Sequence, residues 1–149
     1  MTPKLESGEV KTMHEFFIAM IPPTITQQEH KVAVVHGKPM FYEPQELKTV
    51  RHKLLAAVAP HVPREMYTGP VRLTTKWIWP IQNRQADPSD WPSDWEWKTT
   101  RPDTDNLIKM LKDCMTKAGF WKDDALVCSE ITEKFFGSIP GIYVGIKEL

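Results

Sequence analysis

The chain has 149 residues, 41% of them hydrophobic, enough for one domain with a real core and too few for two comfortable ones. Its 19 basic and 19 acidic residues cancel to a net charge of zero, which excludes a broadly basic surface and counts against nucleic-acid binding unless local patches supply it. The longest apolar runs, such as Leu54-Leu-Ala-Ala-Val-Ala59, are far short of a membrane span. The opening Met1-Thr-Pro-Lys-Leu-Glu-Ser-Gly-Glu9 has neither the basic nor the apolar region of a secretion signal, so a cytoplasmic protein without membrane attachment is expected. Cys114 and Cys128 lack CxxC spacing and are expected as buried thiols, neither a disulfide nor a zinc site.

Residues 1–12 mix Pro, Gly and charge without periodicity and read as a flexible tail, leaving 13–149 as the folded domain. Residues 14–21 alternate Phe16, Ile18 and Met20 with Glu15, Phe17 and Ala19, a strand ended by Pro22-Pro23. Lys31-Val-Ala-Val-Val35, the turn-like His36-Gly37-Lys38-Pro39 and Met40-Phe-Tyr42 suggest a short ribbon. A helix is predicted over 44–59, where Leu47, Val50, Leu54, Ala57 and Val58 recur at three-four spacing between Pro44 and Pro60. Strict alternation over 71–79 predicts a half-buried strand, with Val71, Leu73, Thr75, Trp77 and Trp79 on one face.

The stretch 80–100 reads as a Trp-rich loop, centred on Asp90-Trp-Pro-Ser-Asp-Trp-Glu-Trp97. It is either a surface loop pinned by aromatic anchors or a platform that stacks on unpaired bases. Asp87, Asp90, Asp94 and Glu96 would repel phosphates and weigh towards anchoring. A second helix is predicted over 104–117, with the stripe Leu107, Met110, Leu111, Cys114 and Ala118 and a C-cap at Gly119. A strand over 125–136 places Val127, Ile131 and Phe135 on one face, and Gly137-Ser-Ile-Pro-Gly141 turns into a last strand with Ile142, Val144 and Ile146. The order β-α-β-loop-α-β-β argues for a single α+β domain with a mixed sheet and two main helices.

Carboxylates concentrate at both ends of the second helix: Asp103 and Asp105 before and within its first turn, Asp123 and Asp124 beyond its end. Helix capping accounts for Asp103 well and for Asp105 tolerably, but does not account for the distal pair. A hard divalent cation is the alternative, because Mg²⁺ takes oxygen ligands and is usually held by one or two carboxylates plus substrate phosphates, and the residues alone leave both readings open. Lys109 lies one turn after Asp105, and Asp113 one turn later. That spacing suits an exposed salt-bridge ladder and equally a lysine that neutralises charge developing on a phosphate. The helix is about 21 Å long, so Asp124 reaches Asp103 only if the chain folds back.

Competing motifs fail. Leu107 and Ile108 stand where an EF-hand loop needs oxygen ligands and glycine, and none of the seven glycines forms a phosphate-cradling loop. The five histidines all precede residue 62 and form no HxxxH pair. No serine has a nucleophile-elbow context.

Arg101-Pro-Asp-Thr-Asp-Asn-Leu-Ile-Lys109, then Asp113, then Thr116-Lys-Ala-Gly-Phe-Trp-Lys-Asp-Asp124, closely resembles the signature of the RusA Holliday-junction resolvases, many of them encoded by phages and prophages. Ile21-Pro-Pro-Thr and the helix after it resemble that family's start, and the resemblance covers most of 14–149, weakest between 81 and 100. It implies a homodimer that binds four-way junctions and cuts opposed strands using Mg²⁺, with Mn²⁺ as a substitute. It places the metal carboxylates at Asp103, Asp105 and Asp124 and the essential lysine at Lys109, with Asp113 on a further acidic position. DNA contacts are expected from Lys76, Arg101 and Lys109, in a basic surface assembled from scattered residues such as Arg72, Lys76, Arg84, Lys98 and Arg101. The rivals are a junction-binding protein of the same fold without turnover, and a small-molecule or structural metal-binding domain whose acidic residues serve helix capping.

Overall fold

The computed structural model describes residues 13–24, 31–42, 45–82 and 85–149; the expected tail and Arg84 lie outside them. Five strands form one sheet in the order β1-β7-β4-β6-β5: β1 (His14–Ile18), β4 (Val71–Pro80), β5 (Glu96–Trp97), β6 (Val127–Gly137) and β7 (Gly141–Glu148). The β4–β6 pair is parallel and the others are antiparallel, so the sheet is mixed, as expected for this α+β chain. β2 (Lys31–Val35) and β3 (Lys38–Tyr42) form the separate ribbon, turned at His36 and Gly37, both at positive φ.

β4 is the central strand, and the alternation read in its sequence has a direct structural cause. Val71, Leu73, Thr75, Trp77 and Trp79 are buried on the face covered by helices. The Trp77 indole N–H donates to the Thr75 hydroxyl at 2.9 Å, which satisfies both buried polar groups. Helices α1 (Gln45–Val58) and α2 (Thr104–Ala118) share one cluster with this face through Leu47, Leu54 and Val58, and through Leu107, Met110, Leu111 and Met115. Pro60 does not stop the chain at once, since Ala59–His61 continue as a 3-10 turn. Gly119 ends α2 at φ 99, the left-handed cap its position predicted.

Besides the first strand, which ends at Ile18 and not at Pro22-Pro23, three expectations need correction. The Trp-rich stretch is not structureless: Pro80 belongs to β4, Pro88–Asp90 form a 3-10 turn capped by Asp87, and Glu96–Trp97 pair with β6 as an edge strand. Its tryptophans anchor it to the helix-free face. Trp95 packs on Phe135 at 4.8 Å between ring centres, and Trp91 meets Trp95 edge-on at 5.5 Å. Gly137 permits that approach, because a Cβ there would come within 2.8 Å of both Ile78 and Trp95. Second, the strand predicted over 125–136 starts later, since Asp124–Leu126 form a 3-10 turn before β6. Third, Cys114 is buried but Cys128 is exposed; both are free thiols.

Candidate active site

The N-terminal end of α2 presents Asp103, Asp105 and, one turn further on, Lys109 to solvent, with Asn106 half-buried beside them. Asp103 holds the N-cap position, with extended backbone at φ −74 and ψ 148. Its carbonyl accepts from the Leu107 amide at 3.2 Å, but its carboxylate makes no capping bond. Thus the capping account fails where it was strongest. Among the described residues Asp105 and Lys109 form no ion pair either, so the expected ladder does not consume them. These carboxylates are hard oxygen donors, accessible and uncommitted, a fit for Mg²⁺ shared with substrate phosphates.

At the other end, the two adjacent aspartates divide their work. Asp123 accepts from the Ala125 amide at 2.8 Å and caps the short turn before β6. Asp124, half-buried, begins that turn, and among the described residues its carboxylate takes no hydrogen bond. The turn is held in place by the buried Phe120 and Trp121. The Trp121 indole donates to the Thr116 hydroxyl at 2.8 Å, and the Phe120 carbonyl accepts from the Tyr67 amide at 2.9 Å. Asp124 lines a cavity of about 350 Å³ with Asp113, Thr116, Lys117, Lys122 and Asp123.

β6 runs back along α2, since Lys112 bonds Glu130 at 2.8 Å while Lys134 reaches Pro102. The fold therefore brings Asp103, Asp105 and Lys109 together, and separately brings Asp124 beside Asp113. Two helical turns, about 12 Å of rise, separate Asp105 from Asp113. Among the described residues no three acidic, histidine or cysteine side chains are gathered closely enough to enclose a metal.

Of the expected DNA contacts, Arg101 is exposed next to the carboxylates, and Lys109 stands on the same helix. Lys76 is not with them. It projects from the helix-free face of β4, bonded to Glu133 at 3.1 Å, with its ammonium 5.8 Å from the centre of the Phe135 ring. Sequence reasoning missed Lys134. Its ammonium donates to the carbonyls of Thr100 and Pro102, each at 2.7 Å, just before Asp103. Lys98 lies alongside, 4.9 Å from the Phe136 ring centre, and its pKa is lowered by burial and then by the nearby Lys134 charge. No spacing rule links a lysine on a strand to a carbonyl so far away in sequence.

Fold and site together define a mixed-sheet α+β domain whose covering helix carries acidic side chains at both of its ends. The family described as Endodeoxyribonuclease RusA matches residues 21–147, and the chain belongs to it. It is similar to the protein named crossover junction endodeoxyribonuclease rusA of Lactococcus phage r1t, at 32% identity over 120 residues, covering 79% of this chain and 83% of that one. It is also similar to the uncharacterized protein YqaN of Bacillus subtilis (strain 168), at 26% identity over 129 residues, covering 84% and 90%. No helix among the described residues is long and apolar enough to cross a membrane.

Proposed function

We propose that this chain resolves four-way DNA junctions by Mg²⁺-dependent phosphodiester hydrolysis, as a cytoplasmic homodimer that cuts two opposed strands. One observation carries the reading beyond family membership: the Asp103 carboxylate sits at a helix N-cap without capping it, while Asp123 does cap. Asp103 and Asp105 would hold the cation together with a DNA phosphate, and Asp124 is assigned to the same reaction at the far end of the α2–β6 seam. Bound Mg²⁺ would supply an activated water and stabilise charge on the leaving oxygen, and Mn²⁺ is expected to substitute. Lys109 would neutralise charge on the scissile phosphate, and Arg101 would dock the flanking backbone. Paired cuts need two sites related by a two-fold axis, hence the dimer.

The rival is a junction-binding protein of the same fold without turnover. In its favour, Asp124 shares a cavity with Asp113 and not with Asp103 or Asp105, and no three acidic, histidine or cysteine side chains gather among the described residues. Incubation with a synthetic four-way junction and with linear duplex, with and without Mg²⁺, tests the proposal. Junction-selective cutting only with Mg²⁺ is the expected result. Tight junction binding in Ca²⁺ with no cutting in Mg²⁺ would favour the rival.

A further inference from the structure

We infer that Lys134 is a positioning residue for the Asp103–Asp105 carboxylate pair. The inference rests on the nuclease reading above, and extends it to a residue that never touches the DNA.

Among the described residues no bond holds the Asp103 side chain in place, and its carboxylate does not cap α2. Its position is therefore set by the backbone on either side. Downstream is α2, anchored by buried Leu107, Met110, Leu111 and Met115. Upstream is an irregular segment between β5 and α2, and there the holding is done by Lys134. The Lys134 carbonyl accepts from the Lys98 amide at 3.0 Å, and its ammonium donates to the Thr100 and Pro102 carbonyls at 2.7 Å. One residue thus holds residues 98–102 at three points, and the last of them is adjacent to Asp103.

Lys134 is suited to this by its own support. It lies on β6, which is paired with β4 on one side and β5 on the other, and its Cα is in register with Trp77 of the central strand. An ammonium has three donors, and charge-assisted bonds to two carbonyls are short and strong. Asp105 lies in the first turn of α2 and moves with the helix, so Lys134 chiefly governs the distance of Asp103 from it. Small misplacement of a ligand pair is costly for catalysis, since about 1 Å can cost roughly a hundredfold in rate.

The test compares wild type, Lys134→Met and Lys134→Arg in three measurements. The first is junction cleavage against Mg²⁺ concentration, and the second is junction affinity in Ca²⁺. The third is hydrogen exchange of the Leu107 amide, which bonds the Asp103 carbonyl, in metal-free protein. Lys134→Met is expected to raise the Mg²⁺ needed for half-maximal cleavage by about tenfold or more. It is also expected to speed Leu107 exchange, with junction affinity within about twofold of wild type. Lys134→Arg, which keeps a charged donor for two carbonyls, is expected to recover both signals in part. Lys134→Met with wild-type metal dependence and exchange would overturn the inference. So would loss of junction affinity at unchanged Leu107 exchange, which would make Lys134 a DNA contact. If wild type cuts nothing, the nuclease reading fails, while the exchange measurement still decides whether Lys134 positions Asp103.

Discussion

Replacing Asp103 by alanine separates the two accounts of that residue, because they predict opposite pairs of outcomes. An aspartate that caps a helix through its side chain contributes roughly 1 kcal/mol. In a domain of this size that corresponds to about 2–4 °C in melting temperature. Asp103 occupies the N-cap of α2 but makes no such bond. What remains is its charge at the positive helix end, about 0.3–1 kcal/mol when exposed, offset by repulsion from Asp105. Asp103→Ala should therefore lower the metal-free melting temperature by no more than about 2 °C. Wild type should gain about 1.4 kcal/mol from Mg²⁺ at tenfold excess over its Kd, and the variant should lose that gain. Junction cleavage should fall by about a hundredfold or more. Thermal unfolding followed by circular dichroism, with and without Mg²⁺, and a cleavage time course measure all three. A metal-free loss above about 4 °C with Mg²⁺ stabilisation and cleavage intact would refute the reasoning and restore Asp103 as an ordinary cap.

The distal pair should split in the same way. Asp124→Asn is expected to abolish cleavage with little effect on stability, whereas Asp123→Ala should cost about 1 kcal/mol through its lost bond to the Ala125 amide. Equal losses of cleavage in Asp123→Asn and Asp124→Asn would contradict the division. Gly119→Ala should destabilise the fold by about 1 kcal/mol or more in denaturant titration, because its φ of 99 strains any Cβ. Iodoacetamide at pH 8 should label one thiol per native chain, Cys128, because burial pushes the Cys114 thiol up to about 11. Two fast-reacting thiols, counted by mass spectrometry, would show that the α2 core opens. Trp97→Ala removes an exposed ring packed on Phe135, 4.7 Å between centres, and should leave junction affinity unchanged if the tryptophans are anchors. A severalfold loss would revive base stacking.

The elements legible in sequence were those whose pattern one face of the sheet dictates. β4 alternates because it lies centrally with helices on a single face, and α2 shows its stripe because Leu107, Met110 and Leu111 enter the same core. Gly119 was legible because only a left-handed residue ends α2 there. β5 was not, because its two residues are held by pairing to β6 and not by any pattern of their own. Ile131 lies exposed although it shares a face with Phe135, because the helices cover the other side of β6. Both ends of the acidic constellation were visible as residue types. Their distance was not, because it depends on how β6 runs back along α2. The Lys134 clamp was invisible for the same reason, since a bond from a strand to loop carbonyls leaves no trace in spacing.

The central claim is most directly tested by mapping the strands cut in a labelled four-way junction with Mg²⁺, using wild type and Asp105→Asn. Paired cuts at symmetric positions on two opposed strands by wild type, and none by the variant despite intact junction binding, are the predicted result. Equal cutting by Asp105→Asn, or cuts scattered over linear duplex and junction alike, would contradict it.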